Sequence, residues 1–321
     1  MGWAGIIRSM PLEPAGRRLQ LFSPLLAISG TLAGVGALEG PTPDFRATSS
    51  VKPLSAVEDS ARVTRDPVPG RVLWAADLGS GDLRSYRIDA CGSNRVRVVK
   101  DPHGLDRNVL RLSVRGTDVY PCTPTRDPRA QASSPGLLRE GGEYWIGWSI
   151  LVPRRFPAAK GPRDNWISLA SVYGPPFRGS GVNGLSMSTT RGSSKFYYRR
   201  SIEHRFDQPW LAPLVRGRWV SFVVHVRMSR SKSRGFREQW INTGTGWQRS
   251  LLHGRRRLRM RTMSSANAGG PNHSKLSLYY RRGSLGSASV YFAEHRVGTS
   301  FRAVAPLTPT PGRRRVVADQ P

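Results

Sequence analysis

The sequence predicts an all-β sandwich of two packed antiparallel sheets. Short segments alternate apolar and polar residues with a period of two, the mark of half-buried strands. Glycine and proline punctuate these segments closely, with 34 Gly and 25 Pro in 321 residues. Apolar spacing at a helical period is almost absent, so sheet must cover sheet. No repeat of fixed period is present, which argues against a propeller or solenoid.

Taken in order, the chain opens on Arg17-Arg18 and a mostly apolar run at 19–37 that ends in the small residues Val35-Gly36-Ala37. Residues 1–38 are expected to be a signal peptide or weak membrane anchor, too weakly hydrophobic for stable insertion. Export and an extracytoplasmic location follow from that expectation. Residues 39–68 are rich in Pro, Ser, Thr and Arg without periodicity and read as a disordered linker. The folded domain is expected over 69–303. Strands are predicted at 72–74, 95–99 and 109–115, the last with Leu110, Leu112 and Val114 inward. Residues 116–141 read as a long connection. The clearest strand follows at 142–152, where Tyr144, Ile146, Trp148, Ile150 and Val152 share one face before Pro153 ends it. Further strands are predicted at 166–173, 185–190, 195–199, 219–228, 237–241, 275–280 and 289–297. Residues 304–321 read as a disordered tail.

The net charge is +29, and only six of the 50 basic residues are lysine. This favours an anionic partner, whether nucleic acid, polysaccharide or membrane surface, or else reflects an arginine bias spread over the whole surface. No recognition helix, zinc unit or nucleic-acid-binding barrel pattern accompanies the charge, so specific nucleic-acid binding is not expected. Cys91 and Cys122 lack any metal-ligand spacing. In an exported chain they are expected to form a disulfide; the alternative is two buried thiols.

Five segments carry a resemblance. They are Glu143-Tyr-Trp-Ile-Gly-Trp-Ser149; Pro213-Leu-Val-Arg-Gly-Arg-Trp219 leading into Val223-Val-His-Val226; Glu238-Gln-Trp-Ile-Asn242; Leu276-Ser-Leu-Tyr279; and Val290-Tyr-Phe-Ala-Glu294 with Arg296-Val-Gly298. In this order and spacing, over about residues 70–300, the chain resembles polysaccharide lyases of the heparin lyase I and glucuronan lyase type. The resemblance implies a concanavalin A-like β-jelly roll with a groove for a glycan. It also implies β-elimination on a uronate-containing anionic polysaccharide. That reaction needs a cation on the uronate carboxylate, a base for the C5 proton and an acid for the departing O4. Arginine suits the first task through its planar fork, and tyrosine can serve the others.

Tyr279 matches the family's catalytic tyrosine. Alternation puts it with Lys275, Ser277 and Arg281 on the face opposite Leu276, Leu278 and Tyr280, which reads as a basic groove lining or as a solvated strand face. Arg129 and Gln131 stand in a segment similar to the family's Arg-x-Glu, with Gln in place of the acid. Tyr173 occupies a position where the family commonly has histidine. It could transfer a proton, wall a sugar subsite, or mark lost activity. Arg191, Tyr197 and Arg199 are candidate groove residues on one hairpin. His225 reads as a strand histidine with satisfied bonds, and His253 with Arg255-Arg-Arg257 as a solvated basic patch. No metal or other cofactor is expected, since acidic residues are scarce and the family's aspartate near the last strand is Ala293. A monomer is expected. The competing reading is a noncatalytic carbohydrate-binding protein of the same fold, and a third is charge-driven nucleic-acid binding.

Overall fold

A computed structural model of the chain describes residues 70–307, apart from 93–94, 119–126, 161–165, 175–182, 191–192, 203–204 and 265–269. The expected signal or anchor segment, the linker and most of the expected tail lie outside the described residues, as do Cys122 and Arg191.

Two antiparallel sheets form the domain. The strands of the first, sheet A, are β1 (Val72–Ala75), β3 (Val96–Lys100), β4 (Asn108–Val114), β6 (Glu143–Leu151), β11 (Trp219–Arg227), β12 (Phe236–Asn242), β13 (Gln248–Arg249), β14 (Leu258–Arg259) and β16 (Ala288–Gly298). Sheet B holds β2 (Arg87–Ala90), β5 (Arg129–Ser133), β7 (Ile167–Tyr173), β8 (Asn183–Thr190), β9 (Ser193–Ile202), β10 (Arg205–Pro213) and β15 (His273–Tyr280). Sheet A runs β13-β12-β11-β6-β16-β4-β3, with β1 on β16 and β14 on β12. Sheet B runs β10-β9-β8-β7-β15-β5-β2. The predicted sandwich is therefore present.

The alternation read from the sequence sets the inner faces. Ile146, Trp148, Ile150 and Val152 are buried in the main core, with Tyr144 packed against it. Val220, Phe222, Val224, Val226 and Met228 join them, as do Leu110, Leu112 and Val114. From sheet B come Ala130, Ala132, Leu169, Leu185, Phe196, Tyr198, Leu276, Leu278 and Tyr280. Sandwich cores are built this way, from interdigitated inward residues of two sheets.

The other face of sheet A is also covered. Leu151, Val109, Trp219 and Ala293 form a second small cluster there. Helix α1 (Phe301–Val304) lies over the same face, capped by Ser300 accepting from the Ala303 amide at 3.3 Å. Its end presses on Gly147, where an added Cβ would stand 2.0 Å from the Val304 carbonyl oxygen. Only glycine admits so close an approach of backbone to backbone. Order thus continues past residue 303, and the Leu307 amide still donates to Glu294 Oε1 at 3.2 Å.

Five further strands are present that the sequence does not predict: β2, β5, β10 and the short β13 and β14. Strand β5 reads Arg-Ala-Gln-Ala-Ser, without a β-branched or aromatic residue, yet Ala130 and Ala132 are fully buried. Small side chains suit a strand crossed closely by the opposite sheet, and propensity does not reveal that. Strand β10 contains Pro209 and Pro213 and carries a register shift between Asp207 and Trp210. Proline is tolerated there because β10 is an edge strand.

Candidate active site

The candidate residues come together on the face of sheet B that points away from the core. In β15, Lys275 and Tyr279 alternate with the buried Leu276, Leu278 and Tyr280. Residues directly opposite across a ladder share a face. Strand β5 therefore adds Ser133, Gln131 and Arg129, opposite Lys275, Ser277 and Tyr279. Strand β2 adds Arg87 and Asp89 beyond them. On the other side, β7 places Tyr173, Ser171 and Ser168 opposite His273, Lys275 and Tyr279. Gly184 and Ser186 of β8 follow, then Arg199 and Tyr197 of β9. Small side chains at Ser277, Ser168, Ser171, Gly184 and Ser186 floor the middle of this face. Larger basic and aromatic residues rise on both sides, an arrangement able to seat an extended chain.

Two clusters stand on it. In the first, the Arg129 guanidinium lies 4.5 Å from the centre of the Tyr279 ring. Trp166 meets the same ring edge-on at 4.8 Å, and Arg199 lies 5.3 Å over Trp166. The Tyr279 hydroxyl donates to Asp127 Oδ2 at 3.4 Å, and Asp127 Oδ1 accepts from the Arg282 amide at 3.0 Å. Burial pushes the Arg199 pKa down, while Tyr197 and Tyr279 act the other way. In the second cluster, Lys275 Nζ lies 4.2 Å over the Tyr173 ring, with His273 tilted against that ring at 5.7 Å. Burial, aided by the charge of Arg129, holds Lys275 down to about 8. Burial, aided by Lys275 and Arg87, holds His273 down to about 4, so its imidazole is neutral at pH 7.

The two clusters do not share one reacting centre. Tyr173 sits opposite His273, six positions along β15 from Tyr279, which is roughly 20 Å at the rise of an extended strand. Gln131 lies between them and is buried. Tyr197 is on the expected face but buried beneath its neighbours, and burial raises its pKa. Arg281 is exposed beyond the end of β15. Cys91 carries a free thiol beside β5 and accepts from the Arg129 amide at 3.5 Å. The other half of the expected disulfide, Cys122, lies outside the described residues, and so does Arg191. Asp127, Trp166, His273, Arg87 and Asp89 join the face without having been singled out in the sequence.

His225 belongs elsewhere. It is buried on the far face of sheet A, with Nδ1 2.7 Å from Glu238 Oε2 and its ring stacked on Trp145 at 4.1 Å. Among the described residues, no group of three or more His, Cys, Asp or Glu side chains is gathered to hold a metal ion.

The polysaccharide lyase profile matches residues 78–296, from just before β2 to the end region of β16. The chain belongs to this family. It is a lyase acting on polysaccharides, and the matched span contains both clusters. Its fold is similar to that of an endo-β-1,4-glucuronan lyase from the fungus Trichoderma reesei, with a TM-score of 0.51 and 14% identity over 73% of this chain and 98% of that one. An alginate lyase from Zobellia galactanivorans aligns at a TM-score of 0.48 and 8% identity, covering 68% and 96%. The catalytic domain of a glycoside hydrolase family 131 protein from Coprinopsis cinerea aligns at 0.46 and 11%, covering 74% and 97%. At 14% identity the likeness to the glucuronan lyase is one of fold. No curated protein matches the lyase in sequence.

Proposed function

We propose that this lyase is exported and cleaves a uronate-containing anionic polysaccharide by β-elimination on the outward face of sheet B. The observation that carries the reading is the packing of Arg129, Arg199 and Tyr279 in one cluster on a face floored by small residues. Arg129 binds the uronate carboxylate and offsets the charge that grows there as the C5 proton leaves. Tyr279 handles the protons, with Arg129 and Arg199 beside it to balance negative charge on its oxygen. The C5–H bond breaks, its electron pair forms the C4=C5 double bond, the C4–O4 bond breaks, and O4 takes up a proton. Lys275, with Tyr173 beneath it, forms an adjoining sugar subsite. The separation along β15 favours this role for Tyr173 over direct proton transfer at the same ring. Export rests on the Arg17-Arg18 entry and apolar run, and fractionation of the producing cells tests it.

The catalytic test is incubation of the full chain with glucuronan, heparin, hyaluronan, alginate and pectate, following the ultraviolet absorbance of the conjugated uronate. A rise on a polyuronate that disappears in Tyr279→Phe is expected. No rise on any substrate, with acidic glycans still retarding the protein in an affinity gel, would replace the enzyme with a noncatalytic binder. Retention on DNA without preference for uronate would reduce the reading to charge alone.

A further inference from the structure

Strand β12 carries a cation into the core. His225 stands opposite Glu238 and Val226 opposite Arg237, so alternation sends Glu238 to the far face of sheet A and Arg237 inward with Val226. Arg237 is 3% exposed. Its guanidinium stacks on the fully buried Tyr198 ring at 3.8 Å, and one terminal nitrogen donates to Gln239 Oε1 at 2.9 Å. Both partners are neutral side chains. No carboxylate pairs with it among the described residues, and the phenol of Tyr198, which also hydrogen-bonds the guanidinium, is the one titratable group that acts on its charge. A buried charge left without an ionic partner is costly.

The unmet capacity nearby is of one kind. Arg237 Nε and Trp148 Nε1 are both buried without a hydrogen-bond partner, and both residues line one small cavity between the sheets. Ile146, Val224, Ala170 and Val172 supply apolar walls, and Ser171 completes the β7 side of the lining. Gln239 is buried beside Arg237 with its oxygen accepting from the guanidinium and its Nε2 without a partner, but it is not part of the cavity lining. Ser274, also in the lining, is engaged with His295 Nε2 at 2.7 Å. Guanidinium and indole nitrogens donate only. Water accepts from such groups but leaves its own two hydrogens unmet where only donors face it. A site with a net positive charge, N–H donors and apolar walls fits a guest that only accepts and carries negative charge.

We propose that this cavity is a binding site for one small monovalent anion of the halide class, held between Arg237 Nε–H and Trp148 Nε1–H. The ion neutralises the buried arginine and fills the space beneath β7, the strand that ends in Tyr173. It would thus support the floor of the proposed substrate face from below without touching substrate. The inference does not depend on which glycan is cleaved.

Crystals of the full chain grown in sodium bromide, measured at the bromine absorption edge, test it directly. An anomalous peak between Trp148 and Arg237 is expected. Solvent density there without anomalous signal would assign the cavity to water and overturn the proposal. In solution, replacing gluconate by chloride at constant ionic strength should raise Tm by about 3–6 °C at tenfold saturation. That shift should vanish in Arg237→Met. Equal Tm in the two salts, or a chloride shift that persists in the variant, would also overturn it.

Discussion

Tyr279 and Tyr173 stand on the same face of the same sheet, yet their surroundings separate them. Tyr279→Phe should lower kcat/KM by about 10²–10⁴-fold, the span of a lost proton-transfer group, with glycan affinity retained in gel retardation. Tyr173→Phe should keep kcat near its original value, while Tyr173→Ala should raise KM. Equal losses in the two Phe variants would place both hydroxyls in the reaction. Lys275 allows a test by stability. Its folded pKa of about 8 lies below the ordinary 10.5, so the unfolded chain binds the extra proton between those values. Stability therefore rises with pH across that window. Lys275→Met should gain about 1 kcal/mol at pH 7 in urea unfolding, and the gain should shrink by pH 10. Glu238 behaves oppositely. Burial works against its ionisation, yet bonds from His225 and Arg257 hold it down to about 2, from an ordinary 4.5. Its contribution is full above 4.5 and should fade as pH drops toward 2, a slope that Glu238→Gln should flatten. Of these residues, Tyr279 and Lys275 could be placed on one face from the local alternation of 275–280. Asp127, Trp166 and His273 could not, because their proximity depends on register between strands far apart in the chain.

At the scale of elements, strands with strong two-residue periodicity were legible because one face is apolar. That holds for β4, β6, β11 and β15. Strands β2, β5 and β10 were not, since edge position or close packing replaces the hydrophobic signal with small residues, charges or proline. The site inherits this blind spot: Arg129 lies on β5, within what reads as a 26-residue connection at 116–141. The docking of α1 was equally hidden, because its signal is an absence of side chain at Gly147. Phe301 fits edge-on against Trp145, Trp240 and Trp247, at 6.0, 5.6 and 5.3 Å between ring centres. Gly147→Val should dislodge this helix and cost about 1–3 kcal/mol. Tryptophan fluorescence would report it as a red shift before global unfolding; an unchanged spectrum and midpoint would show that the helix adapts.

For the molecule as a whole, the charge of +29 should act on encounter with a polyanion more than on chemistry. Raising ionic strength roughly tenfold should increase KM severalfold with little change in kcat. A kcat that falls in parallel would mean that salt reaches the reacting groups. The topology carries a consequence of another sort. In each sheet an interior strand arrives near the end of the chain: β15 lies between β7 and β5, and β16 between β6 and β4. Tyr279 thereby reaches Asp127 across 152 positions. Closing such distant pairs is slow. Until residues 273–298 have been synthesised, β5, β7, β4 and β6 each present an unpaired edge to the solution. Unpaired edges are where nascent chains adhere to one another. A ribosome stalled before His273 would hold a chain with no sheet complete and no site, dependent on chaperones for its solubility.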